Sequence, residues 1–193
     1  MENVELMKQA RETLKGKWGL AVGVCFLFLL VIMVIGGIPK IGGLFSVLIS
    51  GPMMVGLATF SLSLSRKQDA SVSQLFTGFV NFWRSFLGYI LVIVFIFLWS
   101  LLLIVPGIIA AISYSQTFLI LADDGSISAR NAIKKSKLIM DGNKKKFFFL
   151  GFRFLGWLLL SVLTFGIGFF WVMPYMQVTL AKFYDDISAK HNS

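Results

Sequence analysis

From Phe86 to Ala122 the chain reads FLGYILVIVFIFLWSLLLIVPGIIAAISYSQTFLILA, 37 residues without one charged side chain. A hydrocarbon core about 30 Å thick takes about 20 helical residues to cross, so this stretch is too long for one crossing and suits two short ones. Pro106-Gly107 lies near its middle and predicts a tight hairpin there. By the same logic Phe147 to Ala181 divides at Thr164-Phe165-Gly166-Ile167-Gly168. Trp18 to Ile35 and Ile41 to Leu64 add two more blocks, parted by Gly36-Gly37-Ile38-Pro39-Lys40. The expected fold is all-α: a polytopic membrane protein with six transmembrane helices in a single integral membrane domain, 1–193.

Composition points the same way, with 57% apolar residues and a mean hydropathy of +0.83, values that exclude a water-soluble domain. Of 18 Lys and Arg residues, all but Lys40 fall on one side of the six blocks. Positive charge is retained on the cytoplasmic face, so both termini are expected in the cytoplasm. The net charge of +9 is carried in short runs abutting the apolar blocks, where anionic headgroups meet it before any nucleic acid does. The first block follows Lys8, Arg11, Lys15 and Lys17 as a signal peptide would, but its core is long and no A-x-A-like site follows, so an uncleaved helix is expected. Cys25 is the one cysteine, which leaves no disulfide within a chain.

The segments between hairpins are amphipathic. Val72, Leu75, Phe76, Phe79, Val80 and Trp83 recur at helical spacing after Ser71-x-x-Gln74, which has the form of a capping box. Val4, Met7, Ala10 and Leu14 form a weaker stripe, and Ala129, Ala132, Ile133, Ser136 and Met140 a third, with Arg130, Lys134, Lys137 and Asp141 on its other face. The chain therefore reads as three units, 1–65, 66–125 and 126–193, each an interfacial helix followed by a transmembrane hairpin. Two crossings per unit return the chain to the same side, so the units are expected around an axis along the membrane normal.

The second helix of each unit carries polar residues in its cytoplasmic half: Thr59, Ser61 and Ser63, then Ser113, Tyr114, Ser115 and Gln116, then Gln177 and Thr179. Either these groups bond their own and neighbouring helices, or Tyr114, Gln116 and Gln177 line a polar recess open to the cytoplasm. Lys144, Lys145 and Lys146, with Arg153 about two turns further on, offer an anionic headgroup site; snorkelling alone also accounts for Arg153. Asp123 and Asp124 precede Gly125 and read as a turn and helix cap, with interfacial catalysis as the sharper reading. No histidine base, zinc motif or phosphate-binding loop lies inside the blocks, since His191 is the only histidine. No catalytic residue, cofactor or metal site is assigned, and with no ionisable group at mid-span, ion-coupled transport is disfavoured.

Leu14-Lys15-Gly16-Lys17-Trp18-Gly19, Gly51-Pro52, Leu103-Ile104-Val105-Pro106-Gly107-Ile108, Ala132-Ile133-Lys134-Lys135-Ser136 and Met140-Asp141-Gly142-Asn143 form an ordered set. It continues through Gly156-Trp157, Leu163-Thr164-Phe165-Gly166-Ile167-Gly168, Pro174-Tyr175 and Phe183-Tyr184. This set resembles the bacterial integral membrane proteins grouped as the domain of unknown function 975 family, over nearly the whole chain. The resemblance implies a bacterial plasma-membrane protein with several spans and carries no catalytic residues over. The functional expectation is a non-enzymatic protein that binds, or helps to move, a lipid or other amphiphile at the cytoplasmic leaflet. The alternatives are a scaffold or immunity-type protein docking a protein partner through its interfacial helices, and an interfacial enzyme using Asp123 and Asp124. Anionic membrane lipids are the expected partners, with self-association through Gly19/Gly23 or Gly42/Ser46/Ser50 an open reading and nucleic acid excluded.

Overall fold

Uninterrupted runs of Leu, Ile, Val and Phe leave the backbone no solvent in a bilayer except its own helical hydrogen bonds. The computed structural model describes residues 1–192 and follows that rule, being 82% helix with no strand among the described residues. Helix α1 (Asn3–Leu14) precedes α2 (Trp18–Gly36) and α3 (Gly42–Ser65). A 3-10 helix (Val72–Phe79) leads into α4 (Phe82–Leu102), α5 (Ile104–Tyr114) and α6 (Thr117–Asp123), and α7 (Ala129–Met140) into α8 (Lys144–Leu163) and α9 (Phe169–Asn192).

Five stretches are long and apolar enough to cross a membrane: α2, α3, α4, the α5–α6 pair over Ile104–Asp123, and α8. The sixth expected crossing does not meet that standard. In α9 only 169–181 is free of charge, about 20 Å of helix, before Lys182, Asp185 and Asp186 intervene. The break of the second hairpin also shifts, to extended Leu103, which leaves Pro106 in the first turn of α5, where its missing N–H costs nothing. The last break falls as expected, with Phe165 and Gly166 in the left-handed region between α8 and α9.

Burial separates the helices into two classes. Over its 18-residue apolar stretch α3 is 67% buried, against 17% for the corresponding stretches of α2, α4 and α8. The outer three present side chains such as Met33, Phe97, Leu101, Phe152 and Leu163 outward, a surface that needs lipid as its solvent. Helix α3 lies against both α6 and α9. Beyond the contacts within each hairpin, packing is staggered by one unit: α1 and α2 rest on α9, the 3-10 helix and α4 on α3, and α7 and α8 on α5, with α7 also against α4 and α6.

The interfacial segments obey their apolar faces with two corrections. In α1 the buried side chains are Leu6, Ala10 and Leu14, while Val4 is exposed, so the stripe runs at four-residue spacing from Leu6. The segment after Ser71 is 3-10, not α: its buried positions Leu75 and Gly78 are three apart, the repeat at which a 3-10 helix eclipses side chains. Backbone contact with α3 imposes this, since a Cβ on Gly56 would collide with the Leu75 carbonyl and one on Gly78 with Pro52. Helix α7 buries Ala129, Ala132, Ile133, Ser136 and Met140 as expected, together with Ile139.

Candidate functional site

Helices α3 and α6 end in charge where α9, which runs on to Asn192, carries Asp185. Arg66, the residue after α3, donates from Nη1 to Asp123 Oδ1 at 2.5 Å and from Nε and Nη2 to Asp185 Oδ1 at 3.2 and 2.9 Å. Ser65 Oγ donates to Asp185 at 2.8 Å and Tyr184 to Asp123 at 2.9 Å, so Asp123 is held from α3 and α9 together, and Asp185 by two neighbouring donors at the end of α3. The hydrogen bond to Asp123 pushes the guanidinium pKa up, then Asp185 adds to it against the cost of burial. Asp124 faces elsewhere: its Oδ1 accepts from Ser126 N–H and Oγ and from Ile127 N–H, which caps the turn into α7. Its pKa is lowered, chiefly by the Ser126 hydroxyl. The two aspartates thus have different partners, and among the described residues no group of three His, Cys, Asp or Glu side chains is placed to hold a metal. Arg84, not singled out by sequence, donates to the carbonyls of Asp124 and Leu121 at 2.8 and 2.7 Å and ties α4 to the end of α6.

Successive residues on a helix point about 100° apart, and α8 spreads its lysines accordingly. Lys144 lies 3.9 Å from Asp141, Lys145 is exposed, and Lys146 turns inward to Asp186 at 2.7 Å with its Nζ over the Phe183 ring. Burial works to raise the Asp186 carboxyl, but hydrogen bonds from Lys146 and the terminal amine overcome it and hold the group at about 2. Arg153, seven residues after Lys146 and so on the same face, is exposed and makes no ion pair among the described residues. Lys146 and Arg153 share an open recess of about 630 Å³ with Met1, Glu2, Asn3, Phe149 and Phe152, so one carboxylate stands among its cations.

The polar residues of the second helices divide in the same manner. Thr59, Ser61, Ser113 and Thr179 each donate to the carbonyl four residues back, as hydroxyls in apolar helices commonly do. Ser63 accepts from Gln74. Gln116 and Gln177 do come together, lining a cavity of about 270 Å³ that is bounded by α2, α3, α6, α8 and α9. Tyr114 does not join them. Two residues from Gln116 on a helix is a half-turn, and its ring packs against Phe95 and lines a separate recess with Lys137 and Lys144.

The cavity adjoins a break in the helix at Ser115–Gln116, where α5 gives way to α6. Ser136 of α7, 0% exposed, enters that break: its Oγ donates to Ser113 O at 2.8 Å and accepts from Gln116 N–H at 3.3 Å. Ser115 Oγ donates to Ile112 O at 2.8 Å and accepts from Gln116 Nε2 at 2.9 Å. Gln116 Oε1 is left buried without a hydrogen-bond partner, a state that costs about 1–3 kcal/mol unless something fills it. The run Ser113-Tyr114-Ser115-Gln116-Thr117 is the sequence signal for this break. Ser136 gives no such signal, because its partners lie 20 and 23 residues away.

The model of the family described as protein of unknown function (DUF975) matches residues 1–113 and 101–191, and the chain belongs to that family. No curated protein and no solved structure matches it.

Proposed function

We propose that this DUF975 member is a non-enzymatic, multi-pass protein of the bacterial plasma membrane that binds an anionic lipid at the cytoplasmic leaflet and helps to move it. The observation that carries the reading is Arg153: an exposed cation without an ion pair among the described residues, in one recess with Lys146, Phe149 and Phe152. A guanidinium placed about 10 Å along α8 from the lysine run suits a phosphate oxygen, and the flanking rings suit acyl chains. Lys145 adds an exposed charge at the level of the headgroups.

In this reading both termini are cytoplasmic and the chain crosses six times in three units, 1–65, 66–125 and 126–193. The one-unit stagger of the packing supports it, as does the ion-paired cluster of Arg66, Asp123 and Asp185, which takes one residue from the second crossing of each unit. The short apolar part of α9 is accommodated by local thinning of the bilayer. The test is mass spectrometry of lipids retained by the purified protein. Enrichment of an anionic lipid over its share of the membrane, lost in Arg153→Gln, is the expected result. Retention matching the bulk membrane in both proteins would overturn the proposal.

A second reading, docking of an acidic protein partner, draws on α7, which exposes Arg130, Lys134 and Lys137 around Leu138, itself 62% exposed. Changing the three cations to Gln would abolish partner capture under that reading while leaving retained lipid unaltered. Catalysis by Asp123 and Asp124 has no comparable support, because their carboxylates are engaged separately by Arg66 and by Ser126.

A further inference from the structure

The geometry points to the central cavity as a second site, distinct from the Arg153 recess, that takes an uncharged alcohol with an apolar tail. Its walls include Phe28, Met54, Leu57, Phe118 and Met173, and none of its lining residues is charged. A carboxylate, phosphate or ammonium would enter without a counter-charge and lose its hydration. An unbranched apolar chain loses nothing there.

The polar groups specify the head. Ser115 Oγ gives its only proton to Ile112 O, so toward Gln116 it can only accept. That fixes the amide orientation: Nε2 faces Ser115, and the atom left unpartnered is the carbonyl oxygen Oε1 of a side chain 1% exposed. Gln177, the other amide lining the cavity, makes no hydrogen bond among the described residues. A hydroxyl is the smallest neutral group that donates to one amide oxygen and accepts from another amide nitrogen. The site also explains the helix break, since irregular backbone at membrane depth is tolerated where it lines a cavity.

Cys25, the only cysteine, lies in the cavity wall and reports on occupancy. The experiment places the full chain in phosphatidylcholine nanodiscs and measures the rate of Cys25 modification by methyl methanethiosulfonate with 1-decanol, decane or decanoate present. Comparing variants at one probe-to-lipid ratio cancels partitioning into the bilayer. The unaltered chain is expected to be protected about fivefold better by decanol than by decane, the effect of one hydrogen bond. Gln116→Leu is expected to erase that difference while decane still protects. Gln177→Leu serves the same purpose should Gln116→Leu fail to give a monodisperse protein, and Arg153→Gln is expected to leave protection unchanged. Equal protection by decane and decanol in the unaltered chain, absence of protection by decanol, or stronger protection by decanoate would each overturn the assignment. So would loss of decanol protection in Arg153→Gln, which would merge this cavity with the surface recess.

Discussion

Arg66 grips Asp185 through two nitrogens, Nε at 3.2 Å and Nη2 at 2.9 Å, while its third holds Asp123. One side chain thereby joins the ends of α3 and α6 to Asp185 of α9, three helices that also border the cavity. From Asp123 back to Gln116 is seven residues, about 10 Å of helix, so the charged cluster lies one and a half helical pitches or more from the cavity head.

Removing the cation should therefore loosen three helices at once. Arg66→Gln leaves two carboxylates without the ion pair they share, with only Lys135 and Lys182 acting on them from further off, and we expect a loss of about 1–3 kcal/mol, between the values for exposed and buried pairs. Arg66→Lys should recover little, because an ammonium cannot reproduce a fork that serves two acids. Thermal unfolding in detergent measures both, and an unchanged midpoint for Arg66→Gln would refute the role.

Ser136 is expected to be needed for the α5–α6 break. Ser136→Ala strips a partner from both Gln116 N–H and Ser113 O, each buried, and should cost about 1–3 kcal/mol. Ser128, a helix cap on the same α7, accepts from Asn131 N–H at an exposed position, and Ser128→Ala should cost only about 1 kcal/mol. Equal losses would mean that α7 is not wedged into the break.

Stability should respond to acid through Asp186. Its folded value of about 2 lies below the ordinary carboxylate value of about 4, so its contribution is complete above the unfolded pKa and disappears as pH falls through the folded one. Unfolding temperature should thus hold between pH 7 and 5 and fall from about pH 4 toward 2. Asp186→Asn should flatten part of that slope; an identical slope in the variant would show that other groups cause it.

Topology is open to direct labelling. With Cys25→Ala as background, single cysteines at Lys40 and Ile167 should react with a membrane-impermeant thiol reagent from outside intact cells, and those at Lys67 and Gly125 should not. A silent cysteine at Ile167 with a reactive one at Lys40 would remove the last hairpin from the set of crossings.

Sequence pattern located the helices because apolar runs and their breaks are local. Thr164 to Gly168 separates α8 from α9 as read, and the α7 stripe is buried as read. What it missed depends on contacts between distant segments. The 3-10 helix takes its form from backbone pressed on Gly56, and Ser136 fills a break 20 residues upstream. Adjacency in sequence also misleads: Lys144, Lys145 and Lys146 form one run yet face three ways, and Tyr114 departs from Gln116 for the same reason. Tyr114, Gln116 and Gln177 read alike as large polar residues in the half of their spans nearest the charged ends, and only Gln116 and Gln177 line one cavity.

The most direct test of lipid recognition is native mass spectrometry of the delipidated protein titrated with equal amounts of phosphatidylglycerol and phosphatidylcholine. The account predicts preferential phosphatidylglycerol binding in the unaltered chain and about a tenfold fall in that preference in Arg153→Gln, the scale of one charge-assisted hydrogen bond. Equal binding of the two lipids, or a preference untouched by Arg153→Gln, would contradict it.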